Sequence, residues 1–148
     1  MKKSTVYRLP IEGLLLACLL AGGPTKAEEN TLRVTLQNVR DGTGQLRASL
    51  YRDSETFRKE DKAIQVISIP AAQGEVQLVF RDLTAGRYAI MAYHDANSDG
   101  KLDLRFGMFP MEGYGLSNNP KVLGPPKFAD SAFDVGGTET SVNISILY

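Results

Sequence analysis

Strict alternation of apolar and polar residues, broken at short intervals by turn-forming residues, is what most limits the architecture open to this chain. Leu32, Val34 and Leu36 alternate with Arg33, Thr35 and Gln37, and Leu46, Ala48 and Leu50 alternate with Gln45, Arg47 and Ser49. Successive side chains of a strand point to opposite faces, so a period of two marks a strand with one face on a core. Asp41-Gly42-Thr43-Gly44 between these runs reads as a hairpin connection. Ile64 to Ile69 is rich in β-branched residues, and Val76, Leu78 and Phe80 alternate with polar neighbours. Gly86 to His94 carries Tyr88, Ile90 and Ala92 on one face, and Ser141 to Tyr148 carries Val142, Ile144 and Ile146. Ser54 to Glu60 predicts one short helical turn with Phe57 inward. About seven short strands with Gly-rich turns imply an all-β chain folded as an antiparallel β-sandwich, immunoglobulin-like in its layering.

The N-terminal residues set the expected compartment. Lys2, Lys3 and Arg8 precede the apolar run Leu14 to Ala21, and Thr25-Lys26-Ala27 supplies small residues for cleavage. That order is the order of a secretory signal peptide over residues 1–27, leaving 28–148 as a single β-sandwich domain. The alternative is a lipid anchor, with Leu15-Leu16-Ala17-Cys18 as lipobox and Cys18 acylated. Cys18 is the only cysteine, so the domain has no internal disulfide. Removing residues 1–27 leaves 13 basic against 16 acidic residues, a net charge of −3. With no basic stripe, nucleic acid is excluded as a partner, and no apolar stretch in 28–148 is long enough for a transmembrane helix.

One segment breaks the rhythm. From Asp95 to Asp134 the chain is rich in Gly, Pro, Asn and Asp, with little alternation. A long insertion of this kind in a small domain is usually functional. Pro110, Pro120, Pro125 and Pro126 stiffen it, and Phe106, Met108, Phe109, Tyr114, Phe128 and Phe133 are expected to pin it to the sandwich as one long ordered loop.

Within it, Asp95-Ala96-Asn97-Ser98-Asp99-Gly100-Lys101-Leu102-Asp103 places side-chain oxygens at alternate positions ahead of a Gly. This is the donor pattern of a Ca²⁺ loop, with Asp95, Asn97, Asp99 and Asp103 as side-chain ligands and Lys101 contributing its carbonyl. The twelfth position is Phe106 where an EF-hand has a bidentate Glu, so any Ca²⁺ cofactor is expected to bind weakly, with Glu112 the residue available to complete the shell. The competing reading is that the same side chains cap turns. His94, the sole histidine, stands beside this loop without a second His or Cys for a zinc site. Tyr114, Asn118 and Asn119 form a further candidate ligand-binding set, an aromatic face beside two amides; Asn-Asn-Pro is equally a turn sequence.

The runs His94 to Asp103, Gly107 to Asn119 and Gly124 to Phe128, approached through Leu83-Thr84-Ala85-Gly86-Arg87-Tyr88, resemble the signature of a bacterial secreted family catalogued as domain of unknown function 2141. The resemblance implies an exported, transthyretin-like sandwich and brings no activity with it. Asp99 and Leu116 depart from the Asn and Phe common there. The function expected is a non-catalytic binding or structural module of the bacterial envelope, its partner an envelope protein or a small polar ligand. Two alternatives stand beside it: a hydrolase acting on an envelope polymer through Glu112, Asp103 and His94, and a module whose sheet edge pairs with a partner strand.

Overall fold

A computed structural model describes residues 30–121 and 124–148; residues 1–27, with the signal-peptide segment and Cys18, lie outside the described residues. The alternating runs form β1 (Asn30–Val39), β2 (Gln45–Tyr51), β3 (Gln65–Pro70), β4 (Gly74–Leu83), β5 (Gly86–Asp95) and, at the end of the chain, β10 (Glu139–Ser145). The Asp95–Asp134 segment contributes the rest: β6 (Leu104–Arg105), β7 (Phe109–Pro110), β8 (Tyr114–Leu116), β9 (Phe133–Val135) and the single-turn helix α1 (Phe128–Ser131). The described strands number ten, where alternation alone predicts about seven, because strands of two or three residues are too short to display a period.

Two sheets face each other. One has the order β10-β1-β4, the other β3-β2-β5, with β8 and β9 sharing the far edge of β5. β8 pairs with Met91 to Tyr93 and β9 with Gly86 to Tyr88. Pairing is antiparallel except between β1 and β10, which run parallel from Thr31↔Glu139 to Gln37↔Ser145. A parallel pair needs a long crossover, and nearly the whole domain serves as one here. The inward faces meet in one core of Leu32, Val34, Leu36, Leu46, Leu50, Leu78, Phe80, Tyr88, Ile90, Ile144 and Ile146, all buried. Each such side chain contributes on the order of 1.5–3 kcal/mol.

The outer face of the β2-β5-β8 sheet is covered too. Tyr51, Phe57, Ala89 and Leu116 form a second buried cluster, against which Ala63, Met91 and Phe128 pack. Phe57 points inward as expected, yet Ser54 to Arg58 is a run of turns and the only helical turn nearby is 3₁₀, over Glu60–Lys62. The Asp53 carboxylate organises it by accepting bonds from the Glu55 and Thr56 N–H groups and the Thr56 hydroxyl. These local bonds compete with helix formation.

The described part of the long segment is folded onto the domain, but half of its expected pins are not pins. Phe128 packs edge-on against Phe57 and Phe133 joins the main core. Phe106, Met108 and Phe109 are instead 78%, 70% and 59% exposed. They sit on the β6–β7 hairpin, which pairs Leu104 with Pro110 and Arg105 with Phe109 and so meets its backbone requirements internally. Elsewhere the segment ties the two sheets together, since Tyr114 and Leu147 exchange backbone bonds of 2.9 and 2.8 Å.

Candidate functional site

Asp95 ends β5 almost fully buried. One of its carboxylate oxygens accepts the Asp99 N–H (3.1 Å) and the other the Gly100 N–H (2.9 Å). Asn97 Oδ1 also accepts from Asp99 N–H (3.0 Å), and Asp99 Oδ1 from Lys101 N–H (2.9 Å). Asn97 Nδ2 donates to Asp103 Oδ2 (3.1 Å). Glu112 accepts from the Ala96 N–H with one oxygen (2.9 Å) and the Asp103 N–H with the other (3.1 Å), stapling both ends of the loop. The residues brought together are those singled out from the sequence, and apart from the Asn97–Asp103 bond the contacts that join them are side chain to backbone, including Asx-type turns. Among the described residues, no group of three or more His, Cys, Asp or Glu is gathered as a metal site.

His94 is buried at 1% exposure. Its Nε2 lies 2.6 Å from the Thr43 carbonyl, which can only accept, so Nε2 carries the proton. Nδ1 is 2.7 Å from the Tyr148 hydroxyl, whose oxygen takes the Arg40 N–H at 2.9 Å and whose hydrogen is free to reach Nδ1. The ring therefore bridges the β1–β2 turn and the chain end. Gly44, at φ 68°, completes that turn so closely that a Cβ there would lie 2.1 Å from the Asp95 carbonyl oxygen. Asn118 and Asn119 are fasteners as well: Asn118 Nδ2 donates to the Ala132 carbonyl (2.7 Å), while Asn119 donates to Asn143 O (3.1 Å) and accepts from Ser145 N–H (2.8 Å). The Asn119 amide thus occupies backbone groups on the open edge of β10. Of the candidate site residues, Tyr114 and Lys101 line a cavity.

That cavity, of about 700 Å³, lies on the outer face of the second sheet. Ser49 and Tyr51 of β2, Met91 and Tyr93 of β5, and Tyr114 of β8 line its sheet side. The β6–β7 hairpin adds Leu104, Met108, Phe109 and Pro110, and Pro125 and Pro126 extend the apolar surface. Its polar part centres on Glu60. Arg47 pairs with one Glu60 oxygen, and Ser49 Oγ (2.9 Å) and the Tyr93 hydroxyl (3.1 Å) reach the other. Arg47 Nε donates to the Tyr93 oxygen at 2.9 Å. The Tyr93 hydroxyl also lies 3.2 Å from the Gly100 carbonyl and, having one hydrogen, serves Glu60 or Gly100 at a given moment.

Burial first, then the charge of Glu60, pushes the Tyr93 phenol well above its ordinary range, and burial pushes Tyr51 up to about 12. The hydrogen bond to Glu60 raises Arg47. Both phenols are neutral at physiological pH, and Arg47, Ser49, Glu60 and Tyr93 are bonded to one another.

None of Arg47, Ser49, Glu60 or Tyr93 emerges from a motif. One signal was available: Ala89, Met91 and Tyr93 make the second face of β5 as apolar as the first, as expected of a strand covered on both sides. No curated protein and no solved structure matches the chain significantly. A family model does match, from β1 into β10, and the chain accordingly belongs to the bacterial family described as "Uncharacterized protein conserved in bacteria (DUF2141)", over residues 34–143.

Proposed function

We propose that the protein is a non-catalytic binding module working outside the cytoplasm, with its ligand held in the groove between the β2-β5-β8 face and the β6–β7 hairpin. The observation carrying this reading is the groove itself, about 700 Å³ and mainly apolar, with a few convergent polar groups. That is the character of sites that bind small molecules, which span roughly 300–1,000 Å³. The basic, apolar and small-residue order of residues 1–27 supports export. Against hydrolysis through Glu112, Asp103 and His94 stands their engagement: both Glu112 oxygens hold backbone N–H groups, and both His94 nitrogens have partners in a buried setting. Ca²⁺, in this reading, would act on the stiffness of the Asp95–Asp103 loop, which borders the groove at Gly100 to Leu102.

The test uses a neutral fluorescent probe, N-phenyl-1-naphthylamine, titrated into the purified protein. Saturable one-to-one enhancement is expected. Changing Leu104→Gln together with Met108→Gln, both on the solvent-exposed hairpin, should weaken it about tenfold. Non-saturating fluorescence, or affinity indifferent to the double variant, would remove the groove as the binding site.

A further inference from the structure

Charge narrows what the groove accepts. Its lining contains three charged residues, Arg58, Glu60 and Lys101. Glu60 is neutralised by Arg47 and its remaining oxygen is filled by Ser49 and Tyr93, so its charge is not offered to a ligand. Arg58 and Lys101 are different. Both are exposed, and neither side chain has an ion-pair partner among the described residues. The carboxylate of Asp95, and one oxygen of Asp99, are turned into backbone N–H groups of their own loop. Arg58 is moreover held at φ 69°, a conformation in which Gly or Asn is the usual occupant. Beside its apolar lining and the self-satisfied Glu60 network, the cavity therefore presents two exposed cations that form no ion pair among the described residues. Leu104, Met108 and Phe109, which line it, are 45%, 70% and 59% exposed, and an apolar chain laid along the hairpin would cover them.

We propose that the groove binds a free single-chain amphiphile with an anionic head, of the fatty-acid carboxylate type, and this rests on the groove being the ligand site. The acyl chain lies against Leu104, Met108, Phe109 and Met91, and the carboxylate is met by Arg58 and Lys101. The self-satisfied Glu60 network draws no head group inward, because a second charge there would lose its hydration without gaining a partner. A cationic head meets like charge, and a neutral head forgoes both ion pairs.

The test is displacement of bound N-phenyl-1-naphthylamine by decanoate, 1-decanol and decyltrimethylammonium, each below its aggregation concentration. Decanoate should displace about tenfold more tightly than decanol, with the cation weakest. The double variant Arg58→Gln/Lys101→Gln, at exposed positions, should abolish that preference, read as the ratio of decanoate to decanol displacement within the same variant. Equal displacement by all three heads would overturn the anionic-head assignment and leave the groove standing. Absence of probe binding would remove both. Cosedimentation with phosphatidylglycerol vesicles, with no displacement by free decanoate, would overturn it in favour of a membrane surface.

Discussion

Replacing Glu60 by Ala strips the polar part of the groove of its one carboxylate, and the structure allows the cost to be worked. Glu60 accepts from Arg47, Ser49 and Tyr93, with its side chain 27% and that of Arg47 21% exposed. A hydrogen bond to a charged group contributes about 1.5–3 kcal/mol when buried, and residual water access trims each of the three. Arg47 then keeps only its bond to the Tyr93 oxygen. A total of about 3 kcal/mol follows, below the sum of the parts because Tyr93 can turn its hydrogen to the Gly100 carbonyl instead. For a domain of this size that is a fall in Tm of roughly 10 °C. Urea unfolding of Glu60→Ala, Arg47→Met and the double variant measures it, with a coupling of about 2 kcal/mol expected between the two sites. Coupling near zero, with Glu60→Ala costing under about 0.5 kcal/mol, would mean an ordinary surface ion pair and would refute the network.

Three other perturbations have defined outcomes. Gly44→Ala should cost more than about 3 kcal/mol in urea unfolding, since its Cβ meets backbone oxygens at 2.1 and 2.7 Å in a left-handed conformation; a loss under about 1 kcal/mol would contradict that packing. Stability should fall above about pH 10, because the Tyr51 phenol ionises near 10 when unfolded and only at about 12 when folded, so the unfolded state binds fewer protons in that window. The slope should approach about 1.4 kcal/mol per pH unit for that proton, and Tyr51→Phe should flatten the profile by its share, as followed by chemical denaturation at each pH. Calorimetric titration with Ca²⁺ should give no saturating heat below the millimolar range, because Asp95, Glu112 and one oxygen each of Asp99 and Asp103 already hold donors of the loop; submicromolar binding lost in Asp95→Ala/Asp99→Ala would show that the metal takes those oxygens from the backbone.

Alternation determined the long strands and the inward face of each, because a period of two is a local property that survives whatever the strand packs against: Leu32, Val34 and Leu36, or Leu46, Ala48 and Leu50, are core residues under any strand pairing. Asp95, Asn97, Asp99 and Gly100 were likewise readable as a tight loop, since Asx turns form between near neighbours. Tertiary structure decided the rest. The parallel union of β1 with β10, the buried bridging role of His94 and the use of Asn119 as a cover for the β10 edge all join residues distant in sequence, and none leaves a periodic trace. The same holds for the groove. Arg47 and Ser49 look like the wet face of β2, and Phe106, Met108 and Phe109 look like anchors, until Glu60 folds over the one and the self-paired hairpin stands the others in water. Hydrophobicity and charge are properties of single residues, whereas exposure depends on what the chain lays across them, and that is decided only when the distant segments meet.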